Sequence, residues 1–230
     1  MSNYDQYRPQ SFPPIVKNLI IINVLVYVAQ LTLANQLQLT EKIMLYPLPH
    51  PEFRSYQVAT HMFAHAPNMI FHIVFNMFAL WMFGRVLENV WGGKRFLFFY
   101  LACGVGAALC HMAVQYFTWQ QMELAANTGN ILKAESYAKS LGPALGASGA
   151  VMGIFAAFAY LFPNTRLFIM FIPFPIKAKW AVLGLAAIDL FGGIANFSGD
   201  NIAHFAHLGG AITGFILVLF WNKTNRKRFY

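Results

Sequence analysis

Apolar residues gather along the chain in long blocks, separated by polar, charged or proline-bearing segments. Blocks of about 17 to 25 residues, enough to cross a bilayer core at 1.5 Å rise per residue, begin near Asn18, Met69, Arg95, Trp180 and Ala203. A shorter block covers Ala147–Phe162. The pattern predicts an all-α, polytopic membrane protein with six transmembrane helices in one bundle. Residues 1–16 read as a short cytoplasmic lead, 17–222 as the membrane domain and 223–230 as a basic cytoplasmic tail.

The connections refine this picture. Residues 35–68 contain LYPLPHPEF, whose prolines interrupt any helix and whose apolar content suits the membrane interface. WGGKR after the second block is a glycine-and-charge turn at the cytoplasmic surface. The polar stretch 119–146 has room for a short surface helix before Gly142 and Pro143 stop it. Pro163 ends the fourth block after about sixteen residues, about 24 Å at helical rise against a core of about 30 Å. This helix therefore starts below one membrane surface. Its non-helical approach, GPALGAS, needs a protein-walled or water-filled cavity at that depth, which places the hydroxyl of Ser148 in water inside the membrane. No internal repeat is visible, so the inverted-repeat pattern of transporters finds no support.

Composition agrees with burial in lipid, since 58% of residues are apolar and only 10% charged. The net charge of +8 raises nucleic acid as a partner, but its distribution points to a bilayer. With the N-terminus in the cytoplasm, twelve Lys and Arg fall on cytoplasmic segments and four (Lys42, Arg54, Lys133 and Lys139) on the opposite side. Cys103 and Cys110, about 10 Å apart along one helix, cannot bridge each other and read as packing residues. The polar first sixteen residues lack the form of a cleavable signal.

Polar side chains inside spans are costly and tend to mark function. Here they concentrate in three blocks: His72 and Asn76 in the second, Ser148 in the fourth, and His204 and His207 in the sixth. His72 and Asn76, four apart, share one helical face. Glycines at 142, 146, 149 and 153, and Gly210 and Gly214 on the face of His207, allow two backbones to approach closely. Such an approach brings Ser148 within reach of His207, the pairing a serine nucleophile needs for activation. Backbone N–H groups at the helix start, with His72 and Asn76, suit a developing oxyanion.

These residues carry a family resemblance. GASG around Ser148, HIVFN from His72 to Asn76, and AHLGGAITG from Ala206 to Gly214, in that placement on six spans, resemble the rhomboid family of intramembrane serine proteases over about residues 55 to 220. The resemblance implies Ser148 as nucleophile and His207 as general base and then acid. His72, Asn76 and the Ser148 amide become the oxyanion donors, with Gly146, Gly149, Met152, Gly210 and Gly214 in support. It implies transmembrane segments of other proteins as substrates, no cofactor, no metal, and a dyad without a carboxylate, so Asp189 and Asp200 stand outside the chemistry. Where the family often has an aromatic residue one turn after the serine, this chain has Met152, whose thioether can pack on the histidine ring. His61 and His65 in THMFAH take a structural role. Glu88 is expected to steady the cytoplasmic end of the bundle by pairing with a basic side chain. A bacterial plasma membrane with both termini cytoplasmic fits the charge distribution.

Other readings stay open. A non-catalytic relative could bind or escort transmembrane clients. His61 with His65, or His204 with His207, have the spacing of metal or haem ligands, although no HExxH occurs. A channel is disfavoured because Asp189 is the one acid inside a span. His204 reads as a bystander at the cavity mouth and His111 as packing or polar glue. The sequence sets neither the substrate nor the oligomeric state.

Overall fold

The computed structural model describes residues 9–168, 173–195 and 203–224. Six helices form a polytopic bundle: α1 (Pro14–Thr32), α2 (Ile70–Trp91), α3 (Gly93–Asn127), α4 (Ser148–Leu161), α5 (Ala178–Ala195) and α6 (His204–Thr224). Helices α1, α2, α3 and α6 are long and apolar enough to cross a membrane, and α4 is a shorter apolar helix. Large apolar side chains such as Leu25, Phe71, Phe75, Leu109, Phe191 and Phe220 point outward, the inverse of a water-soluble surface and the form lipid requires.

Helix α4 is the buried centre, with an unbroken run from Gly149 to Ile154 inside. It packs against α3 and α6 through small residues. A Cβ at Gly214 would lie 2.6 Å from both Cα and O of Gly153, and one at Gly210 would collide with the carbonyl oxygen of Gly149. Ala107 and Cys103 of α3 fill the spaces above Gly149 and Gly153. Without a hydrophobic drive between helices in lipid, this close contact supplies the dispersion energy that joins them. Gly142 lies outside the seam, with no atom within 4 Å of where its Cβ would stand.

The end of the bundle at Glu88 is fastened differently from the sequence-based expectation. Glu88, buried in α2, accepts from the backbone N–H of Ile15 (2.9 Å, Oε1) and of Val16 (2.8 Å, Oε2). Its carboxylate thus caps the N-terminus of α1, where amides lack intrahelical partners and the helix dipole favours negative charge. The partner is a helix end rather than a basic side chain.

The third helix also runs further than its apolar block, through Asn127. Residues 119–127, WQQMELAAN, are mostly strong helix formers, so propensity carries the helix past the point where hydropathy fades. The turn at Gly129, φ +77°, reverses the chain into a surface helix, Ile131–Ser140, capped by Asn130 Oδ1 accepting from the Lys133 amide (3.1 Å). Residues 35–68 form a loop with short helices at Leu39–Ile43 and Gln57–Thr60. Buried Gln57 knits the loop, donating to the carbonyls of Lys42 and Glu52 and accepting from the Arg54 amide. Before α5, Arg166–Leu167 pairs antiparallel with Ile176–Lys177.

Candidate active site

Ser148 is the first residue of α4, and the segment before it is held extended by ties from three directions. Leu45 and Ala144 exchange both backbone hydrogen bonds at 2.8 Å, and the Gly146 amide donates to the His61 carbonyl at 2.9 Å. His111 Nε2 donates to the Gly142 carbonyl at 3.2 Å, while Gln115 accepts from the Gly142 amide at 3.1 Å. His111, read from sequence as packing or polar glue, therefore holds the approach to Ser148. Each backbone group paired here is one that lipid would otherwise penalise.

His61 and His65 frame the same region from the interfacial loop. His61 Nδ1 donates to the Gln57 carbonyl (3.1 Å), and the backbone of His65 exchanges two 2.9 Å bonds with the side chain of Gln30 on α1. Burial pushes both rings down to about 4, the neighbouring His72 adding a smaller effect at His65. Both are neutral at physiological pH, and the His65 ring packs edge-on to His72 at 5.2 Å between centroids.

The glycine seam sets the distance between α4 and α6, and across it His207 Nε2 lies 2.8 Å from Ser148 Oγ. Met152, one turn beyond Ser148, packs with Ala156, Phe155 and Ala211, the last of these one turn beyond His207. The methionine thus fills the seam next to the pair.

On the other side of the serine, Gly146 allows His72 to approach the backbone closely. Its φ of +126° suits glycine, and a Cβ there would lie 2.8 Å from His72 Nε2 and 3.5 Å from Ser148 Oγ. His72 Nδ1 accepts from the Ala66 amide at 3.3 Å, so in the neutral ring the proton sits on Nε2, the nitrogen beside Gly146. Buried Asn76 anchors its amide by donating from Nδ2 to the His72 carbonyl (2.8 Å), and the same nitrogen carries a second hydrogen. His72 Nε2–H and the Ser148 hydroxyl thus lie on either side of the Gly146 backbone.

Two sequence-based expectations need correction. Asp189 of α5, set aside as uninvolved, is buried and reaches the reactive histidine: its Oδ1 lies 3.0 Å from His207 Nδ1. His204 does not sit in an open cavity mouth. It is buried, and its Nδ1 lies 2.9 Å from the same oxygen. Sequence spacing held no sign of this, because Asp189 stands on a different helix. One signal was available: an acid inside an apolar block is costly unless paired, and Asp189 stands in one. Asp200 and the FSGDN loop lie outside the described residues. Among the described residues no group of three or more His, Cys, Asp or Glu side chains is arranged to hold a metal ion.

Comparison with known proteins gives a consistent match. The family model described as "Rhomboid domain" matches residues 52–223. The presenilin-associated rhomboid-like protein, mitochondrial, of Bos taurus is 34% identical over 146 residues, covering 63% of this chain and 33% of that protein. Rhomboid protein 1, mitochondrial, of Saccharomyces cerevisiae is 28% identical over 157 residues, 68% of this chain and 40% of that one. The rhomboid protease GluP of Bacillus subtilis is 32% identical over 147 residues, 64% of this chain and 22% of that one. The chain thus spans less than half the length of each of these relatives.

Proposed function

Because the chain belongs to the rhomboid family, we propose that it is an intramembrane serine endopeptidase that hydrolyses peptide bonds in or near transmembrane segments of other membrane proteins. The observation that carries the proposal is the 2.8 Å contact between Ser148 Oγ and His207 Nε2 at the start of a buried, shortened helix. A neutral imidazole nitrogen at that distance can take the hydroxyl proton as the oxygen attacks.

In the first step Ser148 Oγ bonds to the substrate carbonyl carbon while its proton passes to His207 Nε2. The carbonyl oxygen, now carrying negative charge, is stabilised beside Gly146 by His72 Nε2–H, the Asn76 amide and the Ser148 backbone N–H. Collapse breaks the C–N bond, and the amine leaves with the proton from Nε2. Water then repeats the sequence on the acyl-serine, releasing the acid and restoring both side chains. Because the donors are fixed by packing, little reorganisation accompanies charge development. Residues 17–222 serve as the membrane domain in this reading, with residues 1–16 and 223–230 as cytoplasmic extensions, and no cofactor takes part.

We place the protein in a bacterial plasma membrane with both termini cytoplasmic, supported by an even number of spans and the excess of Lys and Arg on that side. The mitochondrial names of two relatives favour a second reading, an organellar membrane.

The test is cleavage of a transmembrane reporter carrying a helix-weakening stretch, by purified protein in liposomes, with and without chelator. Chelator-insensitive cleavage lost in Ser148→Ala and His207→Ala is the expected result. Chelator-sensitive cleavage that survives Ser148→Ala would move the chemistry to a metal. Reporter binding with no cleavage would make the protein an escort.

A further inference from the structure

We infer that Asp189 of α5 is a positioning residue for His207, so that the reactive unit is a Ser148–His207–Asp189 relay held in register by His204. This rests on the proposed hydrolase reading and adds a member to its site. The geometry is that of three side chains in line: Ser148 Oγ to His207 Nε2 at 2.8 Å, then His207 Nδ1 to Asp189 Oδ1 at 3.0 Å.

A carboxylate has no hydrogen to give, so the 3.0 Å contact requires the imidazole proton on Nδ1. The lone pair then lies on Nε2, toward the serine hydroxyl, which is the tautomer a general base needs. The carboxylate has a second effect when the ring takes the serine proton. A fixed negative charge beside Nδ1 stabilises the imidazolium as it appears. Asp189 itself takes no proton in the cycle; it accepts the Nδ1–H hydrogen bond throughout.

Helix α5 is built for this contact. His204 and His207 lie three residues apart on one face of α6, and Asp189 and Gly192 lie three apart on the facing side of α5. His204 Nδ1 donates to the same Oδ1 at 2.9 Å, fixing the carboxylate from the side away from the serine. The His204 ring fits because position 192 has no side chain: a Cβ on Gly192 would lie 2.6 Å from both Cε1 and Nε2 of that ring. Gly193 makes the same allowance for Phe205, its Cβ position being 2.8 Å from that ring. Acid, glycine pair and histidine pair form one interlocking contact between the two helices.

Asp189→Asn keeps the shape while replacing the acceptor-only group with an amide able to present an N–H to Nδ1, which favours the wrong tautomer. The experiment measures kcat and KM for reporter cleavage by wild type and Asp189→Asn, each normalised to the folded fraction. The inference predicts kcat lower by about 10²-fold or more with KM within about twofold. Equal turnover per folded molecule, with loss confined to thermal stability, would make Asp189 structural and overturn the relay. A wild type that cleaves nothing would instead sink the hydrolase reading. If Asp189→Asn does not fold, ¹⁵N-histidine spectra of the wild type decide. The ring resonance lost in His207→Gln should report a proton fixed on Nδ1, and a proton on Nε2 would contradict the relay.

Discussion

At Gly146 the chain adopts a backbone conformation that L side chains rarely take, and the missing Cβ lets His72 approach the backbone beside Ser148. In the proposed reaction this side of the serine is the oxyanion site. Asn76 illustrates how such a site differs from one that only grips its ligand. Its amide is anchored on the His72 carbonyl, and in the proposed reaction its second hydrogen gains a strong partner only when the substrate oxygen becomes anionic. Asn76→Ala is therefore expected to reduce kcat by about 10²- to 10³-fold with KM nearly unchanged, measured by steady-state cleavage of the reporter. A change confined to KM would remove Asn76 from the oxyanion site. Ser148, His207, His72 and Asn76 were legible because each is a polar residue in an apolar block at helical spacing from a partner or a glycine. Asp189 was not, since its partnership crosses from α5 to α6 and depends on how those helices face each other.

Among the elements, α1 shows what hydropathy leaves out. Its apolar block was plain, but the device that fixes its lower end is a carboxylate from α2, some seventy residues away in sequence. Two charge-assisted bonds to otherwise orphaned amides explain why a buried Glu is tolerated. Glu88→Ala should lower stability by about 1.5 to 3 kcal/mol, read as an earlier midpoint in detergent unfolding, while Glu88→Gln, which retains an acceptor, loses less. An unchanged midpoint for Glu88→Ala would contradict the capping role. The length of α3 was similarly hidden: its last turns are polar, and helix propensity rather than apolar content extends it. By contrast, the early stop of α4 was readable from Pro163 alone.

For the molecule as a whole, the helical bundle closes over His61 and His65 on its loop side, and burial holds both rings neutral. His61 has a folded value of about 4 against about 6.5 when exposed in the unfolded chain. Between those values the unfolded chain binds the extra proton, so stability rises with pH, is full above about 6.5, and is lost as pH falls toward 4. His65 acts in the same direction. Each contributes a slope of up to about 1.4 kcal/mol per pH unit within that window. Unfolding midpoints in detergent at a series of pH values should fall accordingly, and His61→Gln should flatten the curve; a flat wild-type curve from pH 7 to 4.5 would contradict the assignment. Ser148 and His207 lie where the glycine seam, the tied loop and α5 converge, so bundle packing and site geometry are the same contacts. The most direct test of that convergence is covalent labelling with a fluorophosphonate, mapped by peptide mass spectrometry in the folded protein. Activation of one serine by one histidine predicts a single adduct on Ser148 that disappears in folded His207→Ala, whereas no adduct, or one that persists without His207, would contradict it.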